Sequence, residues 1–297
     1  MKLLHTYQNT LNGSLLFYDT IDFLVCFTII CTEARKYGIR LLGFCPMYDH
    51  IHNLFCADSR KDISSLVGSY TRKYSLALNN SIDSTGQVFN HGFGCALKNG
   101  DKSVRTACSY LYNNPGEKGL CKRAEDYRWT FLAFAASRNP FSEKLLLNKA
   151  SMGLRRALKE ISSMREQDKA LNHSMLQRLF IPLCGKEKSQ LTDYIISRYN
   201  CIDYETLISL YGDYDTMCLA FASNQGKEFD IKETFEPGNH RIYPAISASL
   251  INDFGFKNVK DALRLPLSEQ EELMHQLYYA TGAKDWQLRK YFRWQAR

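Results

Sequence analysis

Residues 39–58, IRLLGFCPMYDHIHNLFCAD, hold two strand-length apolar runs, IRLLGFCPM and HIHNLFCAD, with only Tyr48 and Asp49 between them. So short a connection cannot make a crossover, so the runs fold back on each other as antiparallel neighbours. Upstream, KLLHTYQNT has strand pattern and closes at the turn LNGS. Asp19–Tyr37 follows as a helix, with Phe23, Phe27, Ile30 and Ala34 near helical spacing and Gly38 at its end. Downstream, the pattern predicts a helix over Asp62–Asn79, a polar loop NNSIDSTGQ and a glycine-rich strand QVFNHGFGCALKN. A further helix, DKSVRTACSYLYNNP, is expected to stop at Pro115. The order β-α-β-β-α-β predicts an α+β fold: a ferredoxin-like antiparallel sheet with helices on one face. Such a fold says nothing by itself about activity.

After DYRWTFLAF the composition changes, and a boundary is expected near SRNPFSEK, residues 137–144. It separates residues 1–138 from a mainly α-helical C-terminal domain, residues 139–297. Glu143–Phe180 is expected to be helical. Its Lys149, Arg155, Arg156, Lys159 and Arg165 make either a solvated face or a phosphate-contacting connector. KSQLTDYIISRYN, DYETLISLYGDYDTMCLAFAS and YPAISASLINDFG are helical segments. Near the end, Ser268 and Glu271 have capping-box spacing, a helix runs to Ala280, Thr281-Gly282 turns, and a second helix starts near Asp285. Residues 266–295 thus form either a helix-turn-helix presenting Lys284, Gln287, Arg289, Lys290 and Arg293, or an ordinary helical hairpin.

The chain carries 38 Lys and Arg against 31 Asp and Glu, and the resulting charge of +7 suits a polyanionic partner without demanding one. Residues 1–140 hold 16 basic and 11 acidic side chains, so most of the excess lies in the first half. The ten cysteines form no CxxC pair and fall mostly in apolar segments, which predicts buried thiols in a reducing compartment. MKLLHTYQNTLNG lacks the uninterrupted apolar core of a signal peptide. The most apolar run, which opens with Ile21, meets charge at Glu33, short of the roughly 18–20 residues of a membrane span. A cytoplasmic protein with no membrane association is expected.

Alternate strand residues share a face, so His50 and His52 present two imidazoles together while Ile51 enters the core. Two neutral imidazoles supply half of a divalent-metal site, and they are equally compatible with hydrogen-bonded strand histidines. In SVRTACSYLYNNP an apolar stripe of Val104, Ala107, Cys108 and Leu111 fixes the helix to the sheet. Tyr110 and Asn114, one turn apart, flank that stripe, and Tyr112 points elsewhere. A tyrosine beside a metal-ligating amide suits phosphodiester cleavage. A tyrosine packed against a helix-ending Asn-Pro fits the same residues.

GIRLLGFCPMYDHIHNLF, SSLVGSYTRKYSLALNN, GQVFNHGF and SYLYNNPGEKGLCKRAEDYRWTFLAF, in this order and at these spacings, resemble the single-tyrosine HUH transposases (the IS200-like transposase domain). The resemblance is greater to the REP-associated tyrosine transposases, domesticated relatives of insertion-sequence transposases, and spans about residues 3–135. It implies that His50 and His52 bind Mg2+ or Mn2+, that Tyr110 is the nucleophile, and that Asn114 completes the metal site. It implies nicking and strand transfer on single-stranded DNA through a 5′-phosphotyrosine. The chain departs from the family's usual Met-Pro-Asn before the first histidine: Met47 is followed by Tyr48 and Asp49, with proline displaced to Pro46. Asp49 is expected either to join the coordination or to hydrogen-bond the turn.

The implied partner is single-stranded or hairpin DNA, in a nucleoid-associated protein that acts as a monomer or a homodimer. Candidate DNA contacts are Arg72, Lys73 and Tyr74, then His91 and Phe93, then Lys118, Lys122 and Arg123, with Lys284, Arg289 and Lys290 in the C-terminal hairpin. Two readings stand beside the transposase. One is a non-catalytic DNA-binding protein that keeps the fold. The other is a replication initiator or relaxase of the same chemistry, and the lack of a GxxxxGK[ST] motif disfavours a large relaxase.

Overall fold

The computed structural model describes residues 2–57, 59–223 and 239–294. Strand β1 (Lys2–Asn9), helix α1 (Thr20–Lys36), strands β2 (Arg40–Met47) and β3 (His50–Cys56), helix α2 (Arg60–Ser81), strand β4 (Gly94–Asn99) and helix α3 (Asp101–Glu117) follow in the expected order. The strands form one sheet in the order β2-β3-β1-β4 with every neighbouring pair antiparallel, the ferredoxin-like arrangement. Tyr48 and Asp49 make the turn, with Met47 paired to His50.

Alternation along β3 sends Ile51 and Phe55 to one face, where they join Phe23, Phe27 and Ile30 of α1 and Leu66, Tyr70 and Tyr74 of α2 in one core. Leu54 and Cys56 point the other way and pack with Val104, Ala107, Cys108 and Leu111 of α3. Helices α1 and α2 therefore share a face, and α3 lies across the opposite one. That second face is also the histidine face of β3.

Local chemistry moves several boundaries. The glycine-rich strand is shorter than expected and begins at Gly94. Before it, the Gln8 side chain donates to the carbonyls of Asn90 and Gly92 (both 3.1 Å), and Gly92 has a φ of +77°, so the ladder is interrupted and resumes only as an isolated bridge between Thr10 and Phe89. Pro115 does not stop α3, which runs two residues further. Its end is set by Gly119 at φ +74°, where the Leu120 N–H reaches back to the Pro115 carbonyl at 2.8 Å.

The second half contains α4 (Met152–Glu166), α5 (His173–Phe180), α6 (Gly185–Tyr199), α7 (Tyr204–Ser209), α8 (Tyr214–Ser223), α9 (Ile242–Asn252), α10 (Val259–Leu263), α11 (Leu267–Thr281) and α12 (Asp285–Tyr291). The helix expected over Glu143–Phe180 is two helices. Ser151 caps the first, Asp168 breaks the chain at φ +51°, and Asn172 caps the second. The Ser268–Glu271 capping box is not formed, because α11 starts at Leu267 behind Pro266.

This half does not stand apart from the sheet. Leu154, Leu176, Ile195, Tyr243 and Tyr291 belong to the same hydrophobic core as α1 and α2. Ile202 adds a parallel bridge to Leu41 at the β2 edge of the sheet. Among the described residues no helix is long and apolar enough to cross a membrane.

Candidate active site

Pairing across the sheet gathers the polar residues of its α3 face. On β1, Tyr7 lies opposite His52 and Asn9 opposite His50, while His5, two residues from Tyr7, shares their face. Tyr7 faces Gly94 across the β1–β4 pair, and a Cβ at Gly94 would lie 1.7 Å from the Tyr7 ring. Glycine is required there because an aromatic ring occupies the side-chain position.

His52 is fully buried, with both ring nitrogens engaged. Its Nε2 lies 3.0 Å from Asn114 Nδ2 and its Nδ1 lies 3.2 Å from His5 Nε2. With the amide donating to Nε2, the proton resides on Nδ1 and is donated to His5, so one chain of hydrogen bonds fixes both imidazoles. One turn before Asn114 on α3, the Tyr110 ring centroid lies 5.6 Å from that of His52 and 5.7 Å from that of His5. Tyr112 is buried, donates to the Leu42 carbonyl (3.2 Å) and stacks on Phe221. The structure thus brings Tyr110, Asn114 and His52 together and sends Tyr112 into the core.

His50 stands edge-on to His52, with ring centroids 4.9 Å apart. Its Nδ1 is 2.6 Å from Asp49 Oδ1, which places the proton on Nδ1 and leaves Nε2 as the lone-pair nitrogen. Asp49 does hydrogen-bond at the turn, through its backbone: its carbonyl accepts from the Thr10 N–H (3.1 Å) and hydroxyl (3.0 Å). Its carboxylate is buried between His50 and Lys290 of α12, with which it forms an ion pair. Burial alone would raise the Asp49 pKa. The neighbouring His50, Lys290 and His240 outweigh it and hold the group well below the usual carboxylate range.

Two residues of this cluster were not foreseen. His5 was legible in principle, because alternation in LLHTY places His5 and Tyr7 on one face. His240 gave no such signal. It lies in a polar stretch far along the chain, yet its N–H donates to the Lys118 carbonyl (3.0 Å) and its ring packs 6.4 Å from His50 and 6.0 Å from Tyr48. Burial pulls its pKa down to about 4, so it is neutral at physiological pH.

The expected DNA contacts divide by position. Lys118 flanks the cluster through His240, and Lys122 and Arg123 follow on exposed chain, Arg123 paired with Glu125. His91 is exposed and Phe93 half-buried at the start of β4. Arg72 and Lys73 lie on α2, across the sheet from the histidines. Lys73 is bonded to Glu33, and Tyr74 is buried with its hydroxyl donating to the Leu16 carbonyl. In the C-terminal hairpin Lys284 is exposed and Arg289 pairs with Asp285 at 2.7 Å. Lys290, expected on a DNA-contacting face, is buried against Asp49, because α12 docks onto the sheet domain. Arg293 likewise turns inward to the Leu15 carbonyl at 2.7 Å.

Residues 17–114 match the family model described as Transposase IS200 like, a span that holds His50, His52, Tyr110 and, at its last position, Asn114. The match covers about a third of the chain, and over that span the chain is similar to IS200-like transposases. Among solved structures, one described as "Structure of the REP associates tyrosine transposase bound to a REP hairpin" is similar at 14% identity and a TM-score of 0.40, over 50% of this chain and 88% of that one. No curated protein matches the chain.

His50, His52 and Asn114 form a donor set that would suit a divalent ion. Among the described residues no group of three or more His, Cys, Asp or Glu side chains is arranged to hold a metal ion, so the candidate set is two imidazoles and one amide. Each imidazole has its Nδ1 held by a neighbour, Asp49 for His50 and His5 for His52, the outer support that metal-binding histidines require. Asn114 already meets Nε2 of His52, and turning its amide over presents the carbonyl oxygen in place of the nitrogen.

Proposed function

We propose that the protein nicks and transfers single-stranded DNA, with Tyr110 as nucleophile and a divalent cation, Mg2+ or Mn2+, held by His50, His52 and Asn114. The observation that carries this reading is the convergence of Tyr110 and Asn114, one turn apart on α3, on the buried His52 of β3. The bound ion would polarise the scissile phosphate, which a tyrosine of ordinary pKa about 10 requires at neutral pH.

Tyr110 Oη attacks the phosphorus and the bond to the 3′ oxygen breaks. The strand is left with a 5′-phosphotyrosine and a free 3′-OH, and the tyrosine proton passes to solvent or to the leaving oxygen. Because the phosphodiester energy is kept in the protein linkage, the reverse attack by a 3′-OH joins strands without a nucleotide cofactor. Lys118, Lys122 and Arg123 follow the tyrosine helix in the chain and are the cations proposed for the backbone of a single-stranded or hairpin substrate.

The test is incubation of the full chain with single-stranded hairpin DNA and Mn2+, followed by a denaturing gel. A covalent adduct that disappears in Tyr110→Phe and persists in Tyr112→Phe supports the proposal. Binding without an adduct, across metals and substrates, would assign instead a DNA-binding protein that keeps the fold.

A further inference from the structure

We infer that Lys290 is a positioning residue of the proposed metal site: it holds the Asp49 carboxylate, which in turn holds the His50 ring, so the C-terminal helix completes a site carried by the sheet domain. The inference rests on the metal reading above and adds to it a part of the chain outside the matched span, residues 17–114.

Three contacts make the relay. Lys290 Nζ is bonded to Asp49 Oδ2, and Asp49 Oδ1 lies 2.6 Å from His50 Nδ1. The Asp49 backbone is pinned by Thr10, so the carboxylate has a fixed origin from which to reach both partners. Lys290 in turn has little freedom. It is 5% exposed, and its Cε and Nζ lie 3.6 Å from the position a Cβ would take at Gly13, in the turn after β1. Tyr291, the next residue, anchors α12 by accepting the Tyr18 hydroxyl at its carbonyl (3.1 Å) and pairing its own hydroxyl with Ser247 (2.8 Å).

The chemistry explains why a lysine is needed there. Asp49 brings a full charge into a largely buried site. An unpaired carboxylate there would be costly and would be free to swing away from the ring. Lys290 neutralises the charge and leaves Oδ1 to accept from Nδ1–H, so Nε2 keeps its lone pair. His240 Nε2, 3.9 Å from Asp49 Oδ2, closes the remaining side as a neutral ring.

The experiment uses the full chain with Tyr110→Phe, so that DNA cleavage plays no part, and titrates Mn2+ by the loss of the free-ion electron paramagnetic resonance signal. Lys290→Met is expected to weaken Mn2+ binding about 10–100-fold, the usual effect of removing an outer-shell partner, with most of the affinity recovered in Lys290→Arg. The 15N shifts of the metal-free His50 ring should move in Lys290→Met and not in Lys290→Arg. If Lys290→Met does not fold, Lys290→Gln, which keeps a donor without the charge, is measured instead, with weaker Mn2+ binding than the parent expected. Unchanged Mn2+ affinity in whichever of the two folds, with or without a lower melting temperature, overturns the inference and leaves the metal site standing. A parent chain that binds no Mn2+ overturns the metal reading and the inference together.

Discussion

At the scale of single residues, the candidate site is a set of rings whose orientations are set by partners from other strands. His5 accepts from His52 Nδ1 in a dry environment, so His5→Leu leaves a buried donor unsatisfied. A loss of about 1–3 kcal/mol is expected in chemical denaturation, with a parallel drop in adduct formation. Gly94 makes the opposite demand. The Tyr7 ring fills the place of its side chain, and Gly94→Ala should cost roughly 1–3 kcal/mol by overpacking. Tyr7→Ala should restore part of that loss in the double variant; a Gly94→Ala protein as stable as the parent would show that the ring moves freely. The histidine pair and the Tyr110–Asn114 spacing were legible because both follow from local periodicity. Asp49 was legible only as a departure, since its partner Lys290 is far away along the chain.

At the scale of elements, α1 is fastened to the second half by charge as well as by apolar contact. Asp22, within its first turn, is fully buried and lies 2.6 Å from Lys260 of α10 and 2.7 Å from His173 of α5. Removing one partner of such a pair strands the other charge, so Lys260→Met should lose about 3–5 kcal/mol of stability. Burial alone would raise the Asp22 pKa, but Lys260 and His173 outweigh it and hold it at about 2. A depressed carboxylate pKa stabilises the fold above the unfolded value of about 4, and that contribution is lost as pH falls through the folded value. The gap in urea midpoint between parent and Lys260→Met should therefore be full at neutral pH and close between about pH 4 and the Asp22 value of about 2. Asp19, pushed upward by burial and by the charge of Asp22, takes up its proton first. The apolar stripe of α3 was readable from the sequence. Its true end was not, because Gly119, rather than Pro115, supplies the left-handed residue that closes it.

At the scale of the whole molecule, the sheet and the C-terminal helices share one core, and this bears on how the chain can be divided. Tyr204 donates its hydroxyl to the Phe131 carbonyl (2.5 Å), the Leu171 N–H donates to Thr28 Oγ1 (3.1 Å), and Arg35 donates to the Tyr199 carbonyl (2.9 Å). Residues 1–138 expressed alone would expose the α1 surface and leave Asp22 without Lys260 or His173. Such a fragment should show poor amide dispersion by NMR and a broad, low-temperature melt, against a cooperative transition for the full chain. A fragment that melts cooperatively near the full-chain temperature would show that the sheet domain folds by itself.

The sequence by itself determined the hairpin at Tyr48-Asp49, the strand and helix order of the sheet domain, the two histidines on one strand face, and the tyrosine and amide one turn apart on a helix. These rest on short-range rules, strand alternation and helical spacing, that act within a few residues. Tertiary structure alone decided that α3 takes the opposite sheet face from α1 and α2, that His5 and His240 line the cluster, and that a lysine on the last described helix neutralises Asp49. Those outcomes depend on which apolar surfaces meet and on where a buried charge finds its counter-ion. Such terms act through space and leave no period in the chain.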